Sequence, residues 1–164
     1  MDKLRLRLFQ KTDFDAFHAL VSDYDVVKML AMWPYPADPE FTRTRMNTPE
    51  AKAGQFVVIE YDGQFAGTIG GIQGGIGYML ARTYWGQGIA TWAVREMLGI
   101  CFKNHSWDKI EAGTWADNPA STAVLRKCGF RKTGDGVKFC KARGCDLHGP
   151  DFEITRAEWM KTLS

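Results

Sequence analysis

The chain has 164 residues, 45% of them hydrophobic, with 21 Lys and Arg against 19 Asp and Glu for a formal charge of +2. That length supports one well-buried domain, and a spread, nearly balanced charge excludes nucleic acid as the main ligand. No apolar run approaches the ~20 residues a membrane helix needs, and residues 1–5 lack a signal-peptide core, so no membrane partner and a cytoplasmic location are expected.

The N-terminal elements alternate apolar and polar positions. Leu4, Leu6 and Leu8 interleaved with Arg5 and Arg7 have the period of a half-buried strand. Thr12 and Asp15 stand like a capping box before a helix through Phe14, Phe17 and Leu20, and residues 25–30 form a second helical piece. Pro34 and Pro36 force an extended path around Trp33 and Tyr35. Those two aromatics either wall a substrate cleft or cover the core. Pro39 and Glu40 open a polar surface helix reaching about residue 53.

Residues 55–60 and 65–72 read as two strands joined at an Asp62-Gly63 hairpin signal. Residues 76–80 form the next strand, and Gly75 and Gly77 suit a bulge or a plain hairpin equally. The glycines here do not make a dinucleotide loop, since no G-x-G-x-x-G leads into a helix with a following acidic residue.

The strand then enters Tyr84-Trp85-Gly86-Gln87-Gly88-Ile89-Ala90-Thr91, a glycine-rich turn running into a helix whose Ala90, Ala93, Val94, Met97 and Cys101 recur at helical spacing. The first amides of such a helix have no intrahelical acceptor and lie at the positive end of the macrodipole, so an anion fits there. Residues 109–115 read as a strand, with Glu111, Gly113 and Trp115 on one side. A strand, a crossover helix and a strand imply a parallel pair. Asn118 caps and Pro119 begins a further helix that Gly129 ends. Residues 134–140 read as a strand, 142–150 as a polar loop and 152–155 as a last strand. Cys101, Cys128, Cys140 and Cys145 are expected as thiols. Cys140, Cys145 and His148 lack a Cys-x-x-Cys pair and a fourth ligand, so no metal is expected.

Residues 85–90 resemble the acetyl-CoA pyrophosphate motif Q/R-x-x-G-x-G/A of the GNAT (GCN5-related) N-acetyltransferases, with Trp85 in the Gln/Arg position. The Tyr-Trp-Gly opening, Asn118-x-x-Ser121 and Gly129-Phe130 are similar to the RimJ/RimL-like branch. The resemblance implies an α+β fold: a mixed twisted sheet of about six to seven mostly antiparallel strands with a splayed parallel pair, flanked by about four helices. It implies acetyl-CoA as co-substrate and a primary amine, on a protein N-terminus or a small molecule, as acceptor.

The same resemblance implies that Trp85, Gly86, Gln87, Gly88, Ile89, Ala90 and Thr91 cradle the diphosphate and that a backbone N–H near Met79 or Leu80 meets the thioester. Asn118 contacts pantetheine, Ser121 approaches the sulfur, and Trp33, Tyr35 and Tyr78 border the acceptor. Many relatives carry an acidic Tyr where this chain has Leu125, so Ser121 is the substitute acid, with a purely structural role as the alternative. Glu111 is the first candidate base, against an ordinary solvated carboxylate. A non-catalytic acyl-CoA sensor is the second reading, and either a monomer or a homodimer fits.

Overall fold

The computed structural model describes residues 3–164. Met1 and Asp2, the start of the segment read as lacking a signal sequence, lie outside the described residues. Seven strands form one sheet in the order β1-β2-β3-β4-β5-β7-β6, and every neighbouring pair is antiparallel except β4 and β5. The first half of the sheet is β1 (Leu4–Arg7), β2 (Phe56–Tyr61), β3 (Gln64–Ile72) and β4 (Gly75–Leu80). Asp62 and Gly63, at φ 51° and 75°, make the tight β2–β3 turn that the sequence signals. The second half is β5 (Lys109–Gly113), β6 (Arg131–Cys140) and β7 (Cys145–Thr155).

Two apolar layers cover the sheet. On one face α5 (Ile89–Asn104), α6 (Pro119–Lys127) and α7 (Arg156–Lys161) bury Ile89, Val94, Met97 and Leu125 against Ile69, Leu80, Ile110 and Ile154. On the other, α1 (Phe14–Val21), α2 (Tyr24–Val27), α3 (Pro39–Met46) and α4 (Pro49–Lys52) gather Phe17, Val27 and Met46 around Phe56 and Met79. Four of these helices have eight or more residues, in line with the expected four.

Several elements depart from the sequence expectation for identifiable reasons. The helix expected over residues 39–53 divides, because Pro49 cannot continue it and Thr48 accepts the Ala51 N–H to cap a new turn. Its polar composition also misleads, since Thr42, Met46 and Ala51 are buried. The cap of the first helix is not Thr12 with Asp15. Asp13 instead accepts the Gln10 N–H, a 3₁₀ turn spans Lys11–Asp13, and α1 starts at Phe14. The second helical piece is Tyr24–Val27, shorter than residues 25–30.

The stretch read as a loop at 142–150 is largely strand. Cys145 pairs with Cys140 and the ladder continues to Glu153 opposite Arg131, so the long β6–β7 hairpin overrides the Gly and Pro content. Strand β5 stops at Gly113, two residues short of the expected end, although the Thr114 N–H still reaches the Pro150 carbonyl.

A buried ionic knot joins β1, β2 and the start of α1. Arg7 grips both Asp13 oxygens at 2.7 and 2.9 Å and shares Glu60 with Arg5. Burial pushes Asp13 up, but Arg7 and the Gln10 amide outweigh it and hold the carboxyl below its ordinary range. Arg5 and Arg7 lower Glu60 likewise. Groups depressed on folding stabilise the native state above the unfolded carboxylate range and lose that contribution as pH falls through their folded values. Stability measured by urea unfolding is therefore expected to decline from about pH 4 downward, and a flat profile there would contradict this assignment.

Candidate functional site

The site forms where β4 and β5 part. Only Gly75 and Glu111 pair across these parallel strands, with the Glu111 N–H donating to the Gly74 carbonyl at 2.8 Å. Beyond that rung the strands separate, and the amides of β4 on that side have no strand to meet. Their identity follows from the ladder to β3. The Ala81 N–H donates to the Ala66 carbonyl and the Gly71 N–H to the Gln55 carbonyl. Bonded pairs alternate in an antiparallel ladder, so Met79 bonds to Thr68 while Tyr78 and Leu80 turn their N–H groups into the gap. Met79 is thus corrected out of the expected amide pair. Its amide belongs to the ladder and its side chain to the α1-side core, and Tyr78 takes its place.

At the end of β4 a 3₁₀ turn over Arg82–Tyr84 leads to Trp85, whose indole N–H donates to the Leu80 carbonyl at 2.9 Å and ties the turn to the strand. Gly86 and Gly88 follow at φ 71° and 78°. Gly88 is the N-cap of α5 and has no side chain to satisfy the helix's first amides. The first cap-to-helix bond runs from the Trp92 N–H to the Gly88 carbonyl, leaving the N–H groups of Ile89, Ala90 and Thr91 without an intrahelical acceptor. Sixteen residues of helix stand behind them, and Trp85 through Gly88 are exposed, so a diphosphate can approach.

The opposite lip is α6. Asn118 Oδ1 accepts the Ser121 N–H at 3.2 Å, the cap expected from sequence. The Ser121 hydroxyl lies 2.9 Å from the Tyr78 hydroxyl, a bond linking β4 to α6. Burial pushes the Tyr78 phenol above its ordinary value, with the Ser121 bond acting the other way. Position 125 offers no acid, since Leu125 is buried in the core.

Glu111 lies at the closed rung rather than deep in the opening. Its carboxylate is exposed and paired with Lys109 at 2.7 Å. A cleft of about 480 Å³ runs along Gly75, Glu111, Gly113 and Asp151, with Lys138 bridged to Asp151 at 3.0 Å. Of the two places expected for Trp33, cleft wall or core, the side chain takes the core: it is 8% exposed and meets Phe17 and Phe41 edge-on. Tyr35 is exposed and packs on Tyr24 at 4.8 Å.

The β6–β7 turn adjoins the segment that leads from α2 toward Trp33. Arg143, in the β6–β7 turn, donates to the Lys28 carbonyl at 2.7 Å and pairs with Asp117 at 2.6 Å, while the Lys141 N–H donates to the Ala31 carbonyl. This clamp escapes sequence reading because its members lie far apart in the chain and carry no periodic signal. Cys140 is buried and donates to the Leu30 carbonyl, so it is engaged as a structural thiol. Among the described residues no group of three or more His, Cys, Asp or Glu could hold a metal ion, and no helix is long and apolar enough to cross a membrane.

The acetyltransferase (GNAT) domain family matches residues 3–131. The chain is 27% identical over 171 residues to uncharacterized N-acetyltransferase p20 of Bacillus licheniformis, covering 96% of each protein. Among solved structures it is similar to Mycobacterium smegmatis RimJ in complex with CoA-disulfide. That likeness has a TM-score of 0.77 and 28% identity, over 94% of this chain and 83% of that one. It also shares its fold with RimL, the ribosomal L7/L12 alpha-N-protein acetyltransferase in complex with coenzyme A. There the TM-score is 0.79 with 22% identity, over 94% and 95% of the two chains.

Proposed function

The chain belongs to the acetyltransferase (GNAT) domain family, and from that premise we propose that it transfers the acetyl group of acetyl-CoA directly to a primary amine, on a protein N-terminus or a small molecule. The observation that carries this reading is the single β4–β5 rung, beyond which the strands part in front of an uncapped helix start. In the proposed complex, amides from Trp85 to Thr91 seat the diphosphate, and each charge-assisted bond is worth roughly 1.5 to 3 kcal/mol. The pantetheine arm lies in the gap as a substitute strand, beside Asn118. The thioester oxygen accepts from an N–H of Tyr78 or Leu80, so that the tetrahedral oxyanion is met by a fixed dipole, a role worth about 3 kcal/mol.

The amine attacks the carbonyl carbon, the C–S bond breaks, and its electron pair stays on sulfur, where Ser121 donates a hydrogen bond. The attacking nitrogen loses its proton to water. An α-amine with a pKa of about 8 is partly neutral near pH 7, so no strong base is required for such an acceptor. Glu111, tied to Lys109, therefore serves at most to accept a proton through water.

Incubating labelled acetyl-CoA with a serine-initiated peptide, an alanine-initiated peptide, spermidine and an aminoglycoside is expected to label at least one of them. Ser121→Ala should then lower kcat about tenfold while leaving the KM for acetyl-CoA nearly unchanged. The second reading, an acyl-CoA sensor, rests on Leu125 at the usual acid position and on the paired Glu111. CoA binding without labelling of any amine would favour it.

A further inference from the structure

Building on the proposed transferase chemistry, we infer that Tyr78 is a positioning residue whose hydroxyl donates to Ser121 Oγ and thereby aims the one Ser121 proton at the coenzyme A sulfur. The two hydroxyls are 2.9 Å apart although 43 residues separate them in the chain. Tyr78 comes from the strand whose free amides face the gap, and Ser121 from the first turn of the helix on the other lip. Their bond therefore ties the strand that borders the gap to the helix that carries Asn118.

The chemistry of the two groups sets the direction of the bond. A serine hydroxyl has one proton and two lone pairs. If Ser121 gave its proton to Tyr78, none would remain for sulfur. If it accepts from Tyr78, the proton is free and the hydroxyl is polarised by the bond behind it. Nothing nearby competes for that lone pair: Asn118 takes the Ser121 amide and not the hydroxyl. Among the described residues neither hydroxyl has another partner. The buried Cys128 thiol donates toward the Thr91 carbonyl at 3.5 Å.

Burial keeps the phenol able to donate. It raises the phenol above its ordinary value, so Tyr78 keeps its proton where a thiol ionises, near about pH 8.5. Tyr78 thus acts as a permanent donor, and no proton leaves it during the reaction. As the C–S bond breaks, the sulfur gains the electron pair and the Tyr78–Ser121–sulfur chain of hydrogen bonds shortens. Solvent then supplies the proton that makes the free thiol. This arrangement places a tyrosine behind the leaving group from the sheet, where Leu125 leaves the helix without one.

CoA alone tests the inference, with no acceptor needed. The thiol pKa of CoA bound to the full chain is read from the ultraviolet absorbance of its thiolate, as a difference against the desulfo-CoA complex to cancel the protein's own cysteines. Tyr78→Phe, which keeps the ring, should raise that pKa by about one pH unit. Ser121→Ala should raise it by at least as much, and the double variant should be no higher than Ser121→Ala, since the two hydroxyls act in series. A shift with Ser121→Ala but none with Tyr78→Phe would overturn the role of Tyr78 and leave the transferase reading standing, as would two shifts that add. A wild-type protein that binds no CoA would overturn both.

Discussion

Gly88→Val should weaken CoA binding about a hundredfold, with little change in the melting temperature of the free protein. The residue sits at φ 78° with open space around its Cβ position, so the constraint is conformational and not steric crowding. A β-branched residue in the left-handed region is an outlier, and L-residues there pay on the order of 1–2 kcal/mol. The turn relieves that strain by changing its path, which swings the amides of Ile89, Ala90 and Thr91 off their common target. With the strain relieved, the cost falls on binding: losing one charge-assisted bond forfeits about 1.5 to 3 kcal/mol, and the upper end of that range gives the stated factor. Gly99→Ala, on the same helix and with nothing near its Cβ position, is the control and should leave affinity intact. Calorimetric titration of both variants with CoA reads the result. Unchanged affinity in Gly88→Val would mean that the diphosphate sits elsewhere.

Gly149→Ala is expected to destabilise the fold by about 3 kcal/mol, lowering the melting temperature by roughly 6–12 °C. An added Cβ would lie 1.7 Å from the Thr114 carbonyl oxygen and 2.9 Å from the Trp115 Cα. Both obstacles are backbone, so no rotamer change relieves the clash. The crossing strand cannot drift away freely either. The Thr114 N–H is held by the Pro150 carbonyl, the Thr114 hydroxyl pairs with Thr122 at 2.9 Å, and the Ala116 N–H reaches the His148 carbonyl. Since this segment delivers the chain to Asn118 and Ser121, any accommodation also shifts the α6 lip, and kcat should fall along with stability. Differential scanning calorimetry settles the first effect. A transition at the wild-type temperature would show that the close approach is not needed.

What could be read from sequence was local. The glycine turn into α5, the Asp62-Gly63 hairpin and the Asn118 cap each depend on a few adjacent residues with strong conformational preferences, and all three stand where expected. The features that escaped depend on partners distant in the chain. Which β4 amides face the gap is set by the phase of the β3–β4 ladder, and a shift of one residue exchanges Met79 for Tyr78. The length of β7 is decided by β6, so Gly149 and Pro150 read as loop residues although they lie in a strand. Trp33 joins the core because Phe17 and Phe41 arrive on its edge, and flanking prolines carry no such information.

The solitary rung between Gly75 and Glu111 has a mechanical consequence. Two half-sheets meet there with almost no main-chain stitching, so the cohesion of the molecule across its waist is carried by side chains. Ile89, Val94, Met97 and Leu98 on the buried flank of α5 share one apolar cluster with Ile69 and Leu80 from one half and Ile110 from the other. The long helix is in effect the rivet that lets a slot stay open in an otherwise continuous wall. A small loss of volume at Val94, Met97 or Leu98 would alter the width of the slot from behind, without touching a single residue that lines it.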